Sequence, residues 1–262
     1  MQGGATTTPT GPWVGYGLSD VGLIRVSNQD AVLVLNDHGL WAVADGMGGH
    51  AGGDVASGLA VAAIRHLATK DAPFSIPTGS ELDVERHLRN LVDAANRRVF
   101  EEGAAVRSLR GMGTTLVILM IREGPPSVGY LAHVGDSRAY LVRAGILTLL
   151  TCDHSLVEDY VRRGLLTRDQ AATHPRRHVL TRAVGLDPTV EADTTRLELE
   201  PNDRLILCTD GLTKMLDDRD LTALVAKAGR RPADLSRILV EEANRRGGED
   251  NITVLVCARH DS

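Results

Sequence analysis

Aromatic residues, cysteines and lysines are scarce in this chain of 262 residues, and each scarcity excludes a class of protein. Aromatic residues make up only 3% of the sequence, too few for the stacking surfaces that bind single-stranded nucleic acid. Cys152, Cys208 and Cys257 are far apart and odd in number, which favours buried thiols in a reducing cytosol over a disulfide framework. Lysine occurs at positions 70, 214 and 227 only, never after a glycine, so a nucleotide-binding P-loop is excluded.

The chain also lacks a long apolar run and a strong net charge. Its longest candidate run, residues 116–121, has the length of a strand and not the roughly 20 residues of a membrane helix. Residues 1–12 have no basic start followed by an apolar stretch, so they predict a disordered tail and not a secretory signal. The formal charge of -5 makes the chain a poor binder of nucleic acid or anionic membrane. We therefore expect a cytoplasmic protein without either partner.

The residues that are present predict one mixed domain over residues 13–260. Apolar residues make up 43% of the chain, enough for a sizeable core, and no linker interrupts it after residue 12. Two apolar runs, residues 31–35 and 40–44, flank a turn sequence and predict an antiparallel hairpin. Further strands are predicted at residues 115–121, 127–134, 139–142, 146–150, 204–209 and 252–257, and helices at 55–67, 82–100 and 232–246.

Four aspartates stand at the ends of predicted strands. Asp45, Asp136 and Asp210 each follow an apolar run, and Asp250 stands next to Asn251, just before the last run, which begins at Ile252. A single aspartate there would most simply cap a turn. Four together, with no lysine expected nearby to pair with them, would repel one another unless a cation neutralises them. Oxygen ligands without a cluster of cysteine and histidine favour Mg²⁺ or Mn²⁺, so the pattern predicts a metal site.

Eight short motifs follow one another in an order that matches a known family. They are RVSNQD (25–30), DGMGGH (45–50), GTT (113–115), GDSR (135–138), DHS (153–155), TRAVG (181–185), TDGL (209–212) and DNIT (250–253). Across about residues 15–258, they resemble the metal-dependent protein serine/threonine phosphatases of the PPM (PP2C) family in its bacterial form. The resemblance implies an α+β fold, a four-layer α-β-β-α sandwich with two packed antiparallel sheets. It also implies hydrolysis of phosphoserine and phosphothreonine in proteins.

The resemblance assigns metal ligands as well. Asp45 resembles the carboxylate that bridges two metals, and Gly46 would offer its backbone carbonyl to the second of them. Asp210 and Asp250 match ligands of the first metal. Asp136, together with Asp210, resembles the site of a third and weaker metal in bacterial members. The implied cofactors are two tightly bound Mn²⁺ or Mg²⁺ ions and this third one.

Three further residues are expected at the site. By resemblance, Asp30 acts through metal-bound water and Arg25 holds the substrate phosphate, for which its planar guanidinium is well matched. His50 closes its motif, and its ordinary pKa near 6.5 suits protonation of the leaving oxygen. A histidine that only shapes access to the cleft is the alternative. Residues 153–188 resemble a mobile flap near the active site of bacterial members.

Other phosphatase chemistries can be checked against the sequence. A cysteine phosphatase needs Cys-x5-Arg, but Glu158 and Lys214 occupy the sixth position after Cys152 and Cys208. The stretch from Asp218 to Thr222 fits the Asp-x-Asp-x-Thr pattern of aspartyl-phosphate enzymes, but it is typical of a helix start, with an aspartate as N-cap.

Two alternatives to a protein phosphatase stay open. One is a phosphatase-like regulatory module that binds a partner with little catalysis, and the other is a phosphatase of a small phosphoester. The expected partners are phosphorylated proteins, among them a cognate Ser/Thr kinase and its substrates. The chain is expected to act as a monomer.

Overall fold

The computed structural model describes residues 12–70 and 80–260, so the predicted tail lies outside the described residues except for Pro12. Within this range the strands are β1 (Trp13–Asp20), β2 (Asp30–Leu35), β3 (Leu40–Met47), β4 (Gly113–Thr114), β5 (Leu116–Arg122), β6 (Ser127–Val134), β7 (Arg138–Arg143), β8 (Ile146–Leu149), β9 (Asp193–Leu199), β10 (Arg204–Cys208) and β11 (Ile252–Arg259). The helices are α1 (Gly49–Lys70), α2 (Glu81–Ala105), α3 (Leu156–Arg162), α4 (Arg168–Ala172), α5 (Asp210–Thr213), α6 (Asp218–Lys227) and α7 (Pro232–Arg245).

The strands form two antiparallel sheets. One has the order β1-β11-β10-β7-β8, and the other has the order β2-β3-β5-β6-β9, with β4 paired to β3. Apolar residues of the two inner faces form one buried cluster that includes Trp13, Trp41, Leu207, Leu255 and Cys257. The sheets therefore pack face to face around a shared core.

Helices cover both outer faces. Helices α1 and α2 bury residues such as Ile64 and Leu88 against the sheet that contains β3. On the opposite side, α6 and α7 bury Leu221 and Leu239 against the sheet that contains β11. The implied α-β-β-α sandwich is confirmed. None of the helices in the described ranges is long and apolar enough to cross a membrane.

Strand β11 illustrates how the sequence specifies this layering. It is an almost continuous apolar run between β1 and β10, and its side chains alternate between the two sheet faces. Leu255 and Cys257 join the core between the sheets, whereas Val254 and Val256 join the core beneath the helices. A strand buried on both faces needs apolar residues at successive positions, and this sequence supplies them.

The predicted strands and helices are present in the structure, but three strands were not predicted from the sequence, namely β1, β9 and the two-residue β4. The hairpin is confirmed as β2 and β3, which are joined by a turn of 3-10 helix. Strand β1 escaped prediction because its apolar residues are interrupted by glycines, and a Cβ at Gly15 would lie 2.2 Å from the Trp41 ring. Strand β9 is an edge strand with mostly polar residues, so hydrophobic periodicity does not reveal it.

Candidate active site

Asp30 and Asp45 face each other in the pairing of β2 with β3. The backbone around Asp45 is fixed by Thr115, whose hydroxyl accepts from the Asp45 N–H at 3.0 Å and whose N–H donates to the Asp45 carbonyl at 2.8 Å. Gly46 follows in a place too tight for a side chain, since a Cβ there would lie 1.9 Å from the carbonyl oxygen of Gly53. The site thus brings together three of the predicted residues on one strand pair.

Threonines from the opposite sheet hold the Asp30 carboxylate. Its Oδ2 accepts hydrogen bonds from the hydroxyls of Thr209 at 2.8 Å and Thr253 at 2.7 Å. Its Oδ1 is buried and has no hydrogen-bond partner in the described part of the chain. Asp30 therefore joins the two sheets through one oxygen and keeps the other available. The role of both threonines was not predicted from the sequence, although each belongs to a matched motif.

The remaining aspartates come from three other connections between elements. Asp136 follows β6 after Gly135, whose φ of 100° lies in the left-handed region that favours glycine. Ser137 beside it makes a 2.7 Å hydroxyl contact with Thr115, which ties this loop to the Asp45 strand. Asp210 is the first residue of α5, and Asp250 lies two residues before the start of β11, with Asn251 between them.

The cluster carries more negative charge than its buried setting tolerates. Burial, with smaller contributions from Asp210 and Asp250, raises the pKa of Asp30 to about 7 even though two hydroxyls oppose the rise. Burial likewise raises the pKa of Asp136 to about 7, and Asp210 adds to this effect. The pKa of Asp45 lies well above its ordinary value. Burial is the largest cause, and repulsion from the other aspartates of the cluster adds to it. Such a cluster of oxygen donors fits a hard divalent cation.

Two buried carboxylate oxygens also indicate a cation site. Oδ1 of Asp30 and Oδ1 of Asp210 both lack a hydrogen-bond partner within residues 12–70 and 80–260. Buried carboxylate oxygens are costly to leave unmatched, so both are suited to metal coordination, directly or through water. The residues present therefore fit the divalent ions that the motifs imply.

Lys214 overturns one expectation from the sequence. Its Nζ lies 2.6 Å from Oδ2 of Asp210 and 2.7 Å from Oδ2 of Asp250, so the assumption that no lysine pairs with the aspartates was wrong. Lys214 follows Asp210 by four residues, which brings the two side chains to the same face of a helical turn. Burial opposes ionisation of Asp250, but Lys214 and Arg25 outweigh it and hold the pKa of this carboxyl below its ordinary value.

Arg25 lies at the site but engages a carboxylate. Its Nε is 2.9 Å from Oδ1 of Asp250 and its Nη2 is 3.0 Å from Oδ2, a bidentate pair. The Arg25 side chain is 54% exposed and borders the cleft described below, so an anion can reach it from solvent. The structure thus places Arg25 beside the aspartates, where a phosphate role stays a prediction.

Asn251 fixes the loop that carries Arg25. Its Nδ2 donates to the carbonyls of Val21 and Ser27 at 2.9 Å each, and its Oδ1 accepts from the Gln29 N–H at 2.8 Å. Three hydrogen bonds from one buried amide determine where the loop lies. The sequence analysis did not assign this role to Asn251, and its place in the DNIT motif was the only available signal.

His50 cannot be placed at the level of its side chain. Its backbone lies in the first turn of α1, directly after the Asp45 strand and its connection, but its side chain lies outside the described residues. The general-acid role therefore stays a prediction. Met47, the last residue of β3, occupies the position two residues after Asp45.

A cleft of about 890 Å³ opens onto the cluster. One side of the cleft is lined by Asp136, Asp210, Lys214 and Asp250. The other side is lined by residues of the predicted flap, among them Arg177 and His178. The segment 153–188 contains the short helices α3 and α4, and a bridge between Ser155 and Leu180 closes its base. The aspartates Asp136, Asp210 and Asp250 can therefore be reached from this cleft.

The start of this segment is fastened to the Asp136 loop. Arg138 donates twice to the Asp153 carboxylate, at 2.9 and 2.7 Å. The His154 N–H donates to the Gly135 carbonyl at 2.9 Å, and the Gly135 N–H donates back to Nδ1 of His154 at 3.2 Å. His133 stacks on His154 and bonds to the Cys152 carbonyl at 2.9 Å. Both histidines thus help to fasten this segment to the Asp136 loop.

The competing phosphatase chemistries find no support in the geometry. Asp217 accepts hydrogen bonds from the N–H groups of Arg219 and Asp220, so the Asp-x-Asp-x-Thr pattern is the capped start of α6. Burial raises the pKa of Cys208 to about 12, which disfavours a thiolate nucleophile. Cys257 is also fully buried.

Comparison with known proteins agrees with the geometry. This chain is 38% identical over 244 residues to the serine/threonine phosphatase stp of Listeria monocytogenes, a match that covers 92% of this chain and 94% of that protein. The crystal structure of Mycobacterium tuberculosis serine/threonine phosphatase PstP/Ppp superposes with a TM-score of 0.83 at 35% identity, covering 95% of this chain and 99% of that chain. A structure of the PstP catalytic domain in complex with two manganese ions gives a TM-score of 0.81, also at 35% identity, and covers 95% and 99% of the two chains. The model of the protein phosphatase 2C family matches residues 25–240, and the chain belongs to that family.

Proposed function

We propose that this chain hydrolyses phosphoserine and phosphothreonine in proteins with the help of divalent metal ions. The observation that carries the proposal is the convergence of five aspartates from the ends of both sheets, with two buried carboxylate oxygens left unpartnered in the described chain. The names of the relatives, serine/threonine phosphatases, and the two manganese ions in one of their structures support it.

In this proposal the aspartates would act as ligands of different metal ions. Asp45 would contribute to both of the tightly bound Mn²⁺ or Mg²⁺ ions, Asp210 and Asp250 would contribute to the first, and the Gly46 carbonyl would contribute to the second. Asp136 and Asp210 would hold a weaker third ion. When bound, such ions lower the pKa of a water molecule and neutralise the charge that repels hydroxide from a phosphate dianion.

The chain's own side chains then position the reactants. Asp30, fixed by two threonine hydroxyls through Oδ2, accepts a hydrogen bond from the attacking water at its free Oδ1. Arg25 exchanges its carboxylate partner for the substrate phosphate, to which its two N–H groups donate in parallel. His50 donates a proton to the leaving serine or threonine oxygen. Because the transition state is loose, this positioning and the surrounding charge supply most of the rate.

The same proposal extends to partners and setting. The substrates are phosphorylated proteins, among them a Ser/Thr kinase and the proteins that it phosphorylates. The chain works as a cytoplasmic monomer with one catalytic domain over residues 13–260, and the segment 153–188 acts as its flap. Exposed arginines of that segment, such as Arg162 and Arg163, contact acidic or phosphorylated regions of these partners.

A comparison of substrates tests the proposal. The purified chain should hydrolyse a phosphothreonine peptide and p-nitrophenyl phosphate with Mn²⁺, lose both activities on chelation, and regain them when Mn²⁺ or Mg²⁺ is added back. Turnover that favours sugar phosphates over the peptide would indicate a small-molecule phosphatase. Peptide binding without turnover would indicate a regulatory module, and full activity after exhaustive chelation would refute the metal mechanism.

A further inference from the structure

We propose that Lys214 is an internal competitor for the first metal and must leave its two carboxylates before an ion can bind both of them. The inference rests on the proposed function, because it takes Asp210 and Asp250 as ligands of one ion. It adds a step that neither the motifs nor the relatives' names contain. Metal binding at this position is then an exchange of cations and not a simple addition.

Lys214 lies between the carboxylates of Asp210 and Asp250. One nitrogen lies 2.6 Å from Oδ2 of Asp210 and 2.7 Å from Oδ2 of Asp250, so it occupies the space from which a single cation can reach both oxygens. The ammonium of lysine is a compact point charge with three donors, and it can serve two carboxylates at once. An ion that binds the same two oxygens cannot do so while the ammonium stays there.

The surroundings of Lys214 are partly buried and form part of the cleft. Lys214 stands at the end of the short helix α5, and its side chain is only 26% exposed, so the contact is partly shielded from water and salt. The same cleft contains Arg25 and His178. A lysine displaced from the carboxylates therefore moves into a cleft that must accept a phosphate dianion. Metal binding would both release this ammonium and place it near the substrate.

The proposal predicts opposite effects on metal affinity and on stability without metal. Lys214→Gln and Lys214→Met remove the competitor, so Mn²⁺ should bind at least about tenfold more tightly in calorimetric titrations. In chelator, the same variants should melt at a lower temperature than the parent, because Asp210 and Asp250 lose their cation. Lys214→Arg retains the charge and should behave like the parent. Lys227→Gln removes a lysine charge from the exposed end of α6 and should change neither quantity.

A labelling experiment on the parent chain avoids any dependence on variants. An amine-acylating reagent, followed by mass spectrometry, should modify Lys214 at least about threefold faster with Mn²⁺ than with chelator, because the ion releases the ammonium. Lys227 should react equally in both. Unchanged labelling in a chain that binds Mn²⁺ and hydrolyses phosphopeptides would overturn the role of Lys214 and leave the proposed function intact. Failure of the parent to bind Mn²⁺ or to hydrolyse would overturn both.

Discussion

The aspartate cluster has two halves whose charge is balanced in different ways. Asp30 and Asp45, on the paired strands β2 and β3, are held by hydroxyl and backbone groups, and burial raises the pKa of both carboxyls. Asp250, at the mouth of the cleft, is held by Lys214 and Arg25, which depress its pKa despite burial. Among the described residues, the lysine and arginine contacts of the two halves thus lie at the outer one.

This difference indicates where an added cation contributes most. At the inner half an ion would neutralise carboxylates whose raised pKa is attributed to burial and to neighbouring aspartates, so its binding would relieve repulsion. At the outer half the ion must first displace cations that are already bound. The inner aspartates should therefore dominate both activity and metal retention, and the outer contacts should tune them.

The largest effect is expected from the inner half. Asp45→Asn should lower kcat/KM for a phosphothreonine peptide at least about 1000-fold, roughly 4 kcal/mol of barrier, because it removes charge shared by two ions. In chelator the same variant should melt at a higher temperature than the parent, since a buried and repelled carboxylate is gone. Asp169→Asn, in the exposed first turn of α4, is the matched control for both measurements. A variant that loses stability in chelator would contradict the view that this half is electrostatically strained.

The next effect concerns Asp136, which belongs to neither half. Asp136→Ala should leave two ions tightly bound and the chain folded, but it should lower turnover at least about tenfold, or roughly 1.4 kcal/mol. The third ion is lost because Asp210 alone offers too few oxygens. Crystals soaked in Mn²⁺ should contain two ions in the variant and three in the parent. Three ions in the variant, or loss of the tightly bound pair, would show that Asp136 is not a dedicated third-metal ligand.

A smaller effect is expected from the outer half. Arg25→Ala should raise KM for the phosphopeptide about tenfold, because the phosphate loses a bidentate donor, and kcat should fall as well if the contact strengthens in the transition state. Mn²⁺ affinity, measured by calorimetry, should change little or improve slightly, since Asp250 loses a competing cation. Arg237→Ala, at an exposed position of α7, should leave KM unchanged. Equal KM values for Arg25→Ala and the parent would return Arg25 to an ordinary surface arginine.

The smallest effect is expected in the pH dependence of stability, because His154 is a buried base and not a buried acid. Burial, helped by His133 and Arg182, lowers the pKa of His154 from its ordinary 6.5 to about 4. Between these values the unfolded chain binds more protons, so the free energy of unfolding falls as the pH drops from 6.5 towards 4. The urea midpoint should therefore decrease between pH 7 and pH 5 by less in His154→Asn than in the parent. The same decrease in both chains would mean that His154 does not titrate as its surroundings imply.

The parts of the site that sequence predicts best are the residues with a local signature. Asp45 and Asp210 were identified because each stands between an apolar run and a glycine, a pattern that strand ends impose on the chain itself. The hairpin and the helix starts at Asp217 and Pro232 were predictable for the same reason. Local order in the chain is sufficient for these features because their partners lie a few residues away.

The missed contacts all depend on which distant segments meet. Thr253 reaches Asp30 across 223 positions, and Asn251 holds the Ser27 carbonyl across 224. Lys214 was only four residues from Asp210, but its second partner, Asp250, lies 36 residues further along. A side chain that ends between two carboxylates is set by the packing of α5 against β11, which hydrophobic periodicity does not encode.

The position of β11 also bears on when the site can form during synthesis. This strand lies between β1 and β10, and the turn and first residues around it supply Asp250, Asn251 and Thr253. A nascent chain that has emerged only through α7 has neither the Asp250 carboxylate that faces Lys214 nor the Asn251 amide that fixes the Arg25 loop. Strand β1 would lack its pairing partner until β11 has been synthesised. The site is therefore complete only after the chain has emerged through β11, so a chain truncated after α7 lacks Asp250, Asn251 and Thr253.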